Sequence, residues 1–93
     1  MEDSVWKISI GTLSGDISGP DSVEAATRFL EKLYRAKKDF GVGLLIKAVP
    51  LDGTDDDAFY LRSDVLLANA GMYGEAEQML ALYIKKNPWP TNN

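Results

Sequence analysis

Apolar residues change period along this chain, and the changes mark its elements. Val5-Trp6-Lys7-Ile8-Ser9-Ile10 is rich in strand formers and alternates apolar and polar residues from Ile8 onward, which predicts a β-strand over 5–13. Ser14-Gly15-Asp16-Ile17-Ser18-Gly19-Pro20 is a Gly/Ser turn segment that can close a hairpin, with a second short strand around Ile17. From there the period becomes helical. Val23, Ala26, Leu30 and Leu33 recur at three- and four-residue spacing and Phe29 widens the stripe, predicting a helix over 21–38. Asp21 can cap its first turn, and Glu24 has the spacing to complete a capping box. Lys37-Lys38 suits the negative end of the helix dipole, and Gly41 and Gly43 end the helix.

Leu44-Leu45-Ile46-Lys47-Ala48-Val49 is a short apolar run before Pro50. It reads as a buried strand over 43–49, with a short buried helix as the competing reading. Pro50 to Asp57 is an acidic turn in which Thr54 and Asp57 again have capping-box spacing. Ala58, Leu61, Val65 and Ala68, broadened by Leu66 and Leu67, predict a second helix over 57–70, with Gly71 as its left-handed terminator. Ala76, Met79, Leu80, Tyr83 and Ile84 predict a third over 74–87, stopped by Pro88, before a tail expected to be mobile.

These elements predict a single α+β domain, mostly helical. A small N-terminal strand or hairpin pairs with the segment 43–49, helix 21–38 covers that sheet, and a C-terminal helical hairpin packs alongside. A helix linking two neighbouring strands favours a parallel, right-handed crossover. So small a sheet leaves open edges, and a homodimer joined across an edge is one way to cover them.

Composition narrows the function. The 93 residues carry ten Lys and Arg against fourteen Asp and Glu, a net charge of −4. That balance disfavours nucleic acid and anionic membranes and favours, weakly, a basic partner. No cysteine is present, which for so short a chain points to a reducing compartment, the cytoplasm by default. The first residues have no signal-peptide pattern and no apolar run reaches membrane-spanning length. Histidine is absent too, which removes imidazole catalysis and zinc sites of the His or Cys kind. No cofactor is expected.

With a loop near Gly71, residues 57–88 resemble one tetratricopeptide repeat, a helix pair of about 34 residues. Counted back from Pro88, the large residues Tyr60 and Leu67, the small Ala76 and the bulky Leu80 fall where that family has them. Gly71-Met72-Tyr73-Gly74-Glu75-Ala76 is similar to its inter-helix turn. Ser63, Asp64 and Tyr83 depart from the pattern, and no second copy is present. The resemblance implies a lone repeat unit and protein binding.

Several groups are candidates for chemistry. The glycine-rich segment 11–19 could cradle an anion but lacks the P-loop ending, and reads first as a turn. The acids Asp52, Asp55, Asp56 and Asp57 of turn 52–57 could hold Ca²⁺ or Mg²⁺ but lack EF-hand order, and read first as a helix N-terminus. Glu24, Glu31, Asp64, Glu75 and Glu77 could supply an acid/base pair, and read first as solvated surface. Lys32, Arg35, Lys37 and Lys38 read as a solvated basic face. Among the aromatics, Trp6 reads as core. Tyr73, Tyr83 and Trp89 are the candidates for partner binding, although Trp89 either packs back on the third helix or faces a partner.

The expected function is a non-enzymatic protein–protein interaction module: a small adaptor, a regulator, or a chaperone-like subunit. An acidic neutraliser of a basic protein is one form of it. The alternative is a small-ligand or anion sensor using segment 11–19 or turn 52–57.

Overall fold

A computed structural model describes residues 3–38 and 44–86. The fold is α+β: a four-stranded antiparallel sheet and three helices. Strand β1 (Ser4–Ile10) turns at Gly11-Thr12 into β2 (Leu13–Gly19), so the predicted strand 5–13 ends early and the second strand is longer than expected. Gly11 takes φ 58, a left-handed value that glycine adopts without strain and that a two-residue hairpin turn requires. Register runs from Ile10 opposite Leu13 to Ser4 opposite Gly19.

Helix α1 (Ser22–Arg35) begins as its sequence predicts. Asp21 Oδ1 accepts the Glu24 N–H at 2.8 Å, while the Glu24 carboxylate pairs instead with Arg28. Ala25, Ala26, Phe29, Leu30 and Leu33 are buried from this helix and join Ile8, Ile10 and Ile46 in the core. The helix does not run to Lys38. Lys37 takes φ 54, and the Lys37 and Lys38 N–H groups donate back to the carbonyls of Tyr34 and Leu33 at 3.1 and 3.0 Å. That is a Schellman ending with lysine in the place glycine usually holds, ahead of the glycines expected to stop the helix.

The 43–49 run is a strand, β3 (Leu45–Pro50), which resolves the competition with a helix. It lies antiparallel to β1, with Ile10 opposite Ile46 and Trp6 opposite Pro50. The two strands that α1 links, β2 and β3, are not neighbours, because β1 lies between them. The condition for a parallel crossover, that the linked strands be neighbours, is therefore not met.

The largest correction concerns residues 57–70. Thr54 and Asp57 do form the capping box, but on a single 3-10 turn, Asp55–Asp57. The chain then extends as β4 (Phe59–Arg62), antiparallel to β3, with Leu61 opposite Ile46 and Phe59 opposite Ala48. Only seven residues remain for α2 (Ser63–Asn69), followed by α3 (Tyr73–Lys86). The resemblance to a tetratricopeptide repeat does not survive. A four-stranded sheet with three helices replaces the predicted helical hairpin, and Tyr60, assigned to the repeat's first helix, is a strand residue. Gly71 does terminate α2, at φ 84. Its N–H and that of Met72 donate to Ala68 and Leu67 at 3.0 and 2.8 Å, a second Schellman ending.

Helix α2 is anchored by Ser63, which is fully buried. Its N–H donates to the Leu44 carbonyl at 2.9 Å, its hydroxyl donates to the same oxygen, and its Oγ lies against Met79 Sδ of α3. Among the described residues no helix is long and apolar enough to cross a membrane.

The two helix ends predict opposite responses. Lys37→Gly relieves a left-handed lysine and raises unfolding stability by about 0.5–1 kcal/mol, while Gly71→Ala imposes that strain and lowers it by about 1 kcal/mol. Urea unfolding of both variants checks the pair; a loss of stability in Lys37→Gly contradicts the assignment.

Candidate interaction surface

Helices cover one face of the sheet. In β1 and β3, Trp6, Ile8, Ile10, Ile46 and Ala48 point toward them. The alternate residues face the other way, and register orders them into rows. At one end Val5 lies between Ser18 and the start of the Leu51 turn, where the Leu51 N–H donates to the Val5 carbonyl at 3.0 Å. Next comes Asp16 opposite Lys7 opposite Val49, then Ser14, Ser9, Lys47 and Tyr60. Leu45 opposite Arg62 closes the far end.

This open face has a polar centre and apolar ends. Tyr60 is 61% exposed and Leu45 56%, with Val5 and Leu51 also exposed. Arg62 is held by Asp64 through a two-pronged ion pair, Nε to Oδ1 at 3.1 Å and Nη2 to Oδ2 at 2.8 Å. A fork of that kind fixes the guanidinium plane beside Leu45. Lys47 Nζ reaches Asp55 Oδ1 at 3.1 Å, so the 3-10 turn folds over the face, and Val49 is buried. The hydrogen bond to Asp55 keeps the Lys47 ammonium above its ordinary pKa; desolvation opposes the shift, and the charges of Asp55 and Tyr60 add to it.

Segments 11–19 and 52–57 meet here. Ser14, Gly15 and Asp16 from the first, and Asp55 from the second, line a shallow depression of about 450 Å³ with Lys7 and Lys47 between them. Segment 11–19 is a tight turn and a strand, not an open loop; Gly11 serves the turn, while Gly15 and Gly19 serve packing. A Cβ at Gly15 would lie 3.2 Å from Phe29 Cε1, and one at Gly19 2.9 Å from the Ala25 nitrogen. Among the described residues no group of three or more metal-ligating side chains comes together.

The candidates chosen from sequence scatter. Tyr73 opens α3 and is exposed on the helical side, whereas Tyr83 is half-buried against the core. Trp89 lies outside the described residues. Trp6 packs against the core, its indole N–H donating to the Gly19 carbonyl at 3.3 Å. Of the carboxylates, Glu24 is tied to Arg28 and Asp64 to Arg62, while Glu31 and Glu75 share a hollow with Tyr34, Arg35 and Met72. Lys32, Arg35, Lys37 and Lys38 are exposed along the end of α1. Leu45, Leu51 and Phe59 are not among those candidates. Strand pairing puts Leu45, opposite Arg62, on the face of Tyr60 and Phe59, opposite Ala48, on the other face, while Leu51 lies in the turn after β3. No protein-family model, curated protein or solved structure matches the chain.

Across the helical side, the Tyr34 hydroxyl donates to the Glu75 carbonyl at 3.0 Å and ties α1 to α3. Burial, and then the charge of Glu75, raise the Tyr34 pKa. The unfolded phenol ionises near its ordinary pKa of about 10. The stability from this group is therefore fully present below about pH 10 and is lost as pH rises through the folded pKa. Above pH 10 the wild-type chain is expected to lose stability more steeply than Tyr34→Phe; parallel slopes in urea unfolding against pH contradict this.

Proposed function

We propose that this protein is a non-enzymatic interaction module, a small adaptor, regulator or chaperone-like subunit working in the cytoplasm, and that the open sheet face is where a partner protein docks. The observation that carries the reading is the half-covered sheet. Its free face exposes Tyr60 and Leu45 beside Arg62, whose guanidinium is already fixed by Asp64. Tyr and Arg at a pre-ordered, partly apolar surface are the side chains that dominate protein interfaces. A docking protein would also cover a face that a small domain gains stability by burying.

The test is a tagged pull-down of the full chain from its source cell at moderate salt, read by mass spectrometry. A stoichiometric partner is expected, with affinity falling about tenfold or more in Tyr60→Ala and in Leu45→Ser while both variants keep their thermal midpoints. Tyr73→Ala, on the helical side, is expected to retain it. Loss in Tyr73→Ala alone moves the interface to the helices; a bait with no partner removes the reading.

A second reading has its own observation, the depression where segments 11–19 and 52–57 converge around Lys7 and Lys47. It makes the chain a small-ligand or anion sensor. A rise in thermal midpoint with phosphate, nucleotides or divalent ions is its expected result, and no rise with any of them counts against it.

A further inference from the structure

We infer that the groove at the acidic end of the sheet receives a cationic segment of a partner protein, an Arg or Lys side chain laid against Trp6 and Phe59 with its charge met by Asp52 and Asp56. The inference rests on the interaction reading and adds a surface and a partner chemistry to it.

Trp6 and Phe59 meet edge to face, 6.1 Å between centroids at 65°. Both belong to the helix-facing side of the sheet, yet Phe59 is 50% exposed. The reason is topological. Phe59 opens β4, and α2 leaves from that strand's other end at Ser63, so the helices pack away from it. Beside this aromatic pair, Ser4, Val5, Trp6, Pro50, Leu51 and Asp52 line a groove of about 530 Å³. It offers apolar wall to the stem of a long cationic side chain and to an aliphatic neighbour in the same segment.

Charge selects the occupant. The residues after β3 bring Asp52, Asp55, Asp56 and Asp57 to this end, and the start of α1 brings Asp21 and Glu24. Two of the cations near this end are engaged, Arg28 with Asp3 and Glu24 and Lys47 with Asp55, while Lys7 stands on the open face in register with Asp16. Asp57 Oδ2 accepts the Thr54 N–H. Among the described residues Asp52 and Asp56 have no ion-pair partner. Arg35, Lys37 and Lys38 stand at the opposite end of α1. An exposed aromatic face with unneutralised carboxylates at its rim attracts a guanidinium or ammonium through both cation–π contact and charge, and repels acidic segments and nucleic acid.

The probe is the amidated pentapeptide acetyl-Leu-Arg-Leu-Arg-Leu, titrated into the ¹⁵N-labelled full chain, with its Arg→Glu counterpart as contrast. Saturable shifts are expected at the Trp6 indole N–H and at the amides of Leu51, Asp52 and Phe59, with no response to the acidic peptide. Affinity is expected to fall about tenfold in the exposed-loop double variant Asp52→Asn/Asp56→Asn, and several-fold between about 50 and 300 mM salt, as screening requires. Phe59→Ala is expected to abolish the shifts; if it unfolds the chain, the loop variant still decides. Absent shifts, an equal response to the acidic peptide, or shifts mapped elsewhere overturn the inference. A pulled-down partner that needs Tyr60 but tolerates Asp52→Asn/Asp56→Asn also overturns it, and leaves the interaction reading standing.

Discussion

Helix α1 lies so close to β2 that a methyl group on Gly19 would overlap the backbone of Ala25. At Gly15 the ring edge of Phe29 comes so near that a Cβ would lie 3.2 Å from it, a tight contact the ring would have to yield to. The close approach depends on small residues on both sides, Gly15 and Gly19 below, Ala25 and Ala26 above. It lets Leu30 and Leu33 reach the layer of Ile8, Ile10 and Ile46, each worth roughly 1.5–3 kcal/mol when buried. The crossover then delivers the chain to the far side of β1, so that β1 becomes central and β3 can accept β4. With every helix spent on one side, the other side of the sheet is left to solvent or to a partner.

Much of this was legible because local chemistry and tertiary structure agree. Asp21 and Gly71 specify helix ends by themselves and Ala26, Phe29, Leu30 and Leu33 give the buried face of α1, although Val23, counted in that stripe, is exposed and Ala25 is buried in its place. The α+β class follows from the hairpin and the 43–49 strand. Residues 57–70 were not legible because two periods overlap there. Ala58, Leu61, Val65 and Ala68 have helical spacing, while Phe59-Tyr60-Leu61-Arg62 alternates with period two. Pairing with β3 decides the contest, burying Leu61 in part opposite Ile46, a long-range bond that no local propensity records. Ser63 then starts α2 from inside the core, its hydroxyl occupied by Leu44; the departure from the repeat pattern at that position was the sign that the repeat did not fit. Likewise Lys37 shows that a left-handed terminator need not be glycine, which is why the helix was drawn too long.

The candidate surface suffered from the same overlap. The repeat resemblance puts Tyr60 on a helix, and the exposure of Phe59 and Leu45 is set by where the helices fail to reach, which local sequence does not encode. The acidic run at 52–57 was visible as a capped turn. That it folds over Val49 and shares a depression with Ser14 and Asp16 depends on strand order, which spacing along the chain does not encode.

An open four-stranded sheet must also avoid pairing with itself, and its two edges do so differently. At β2 the Ser18 carbonyl is taken by Arg28 Nη1 at 2.8 Å, and Asp16 stands at the strand's middle, where an antiparallel copy centred on it would set two carboxylates face to face. At β4 the edge is only four residues long and ends in an arginine tied to Asp64. Both devices are of the kind that discourages edge-to-edge strand pairing. The face has no such protection. Its Tyr60 and Leu45 stand clear, while Lys47 is paired with Asp55 and Arg62 with Asp64. The edges are thus guarded while the face stays open, with Tyr60 and Leu45 among its exposed large apolar groups.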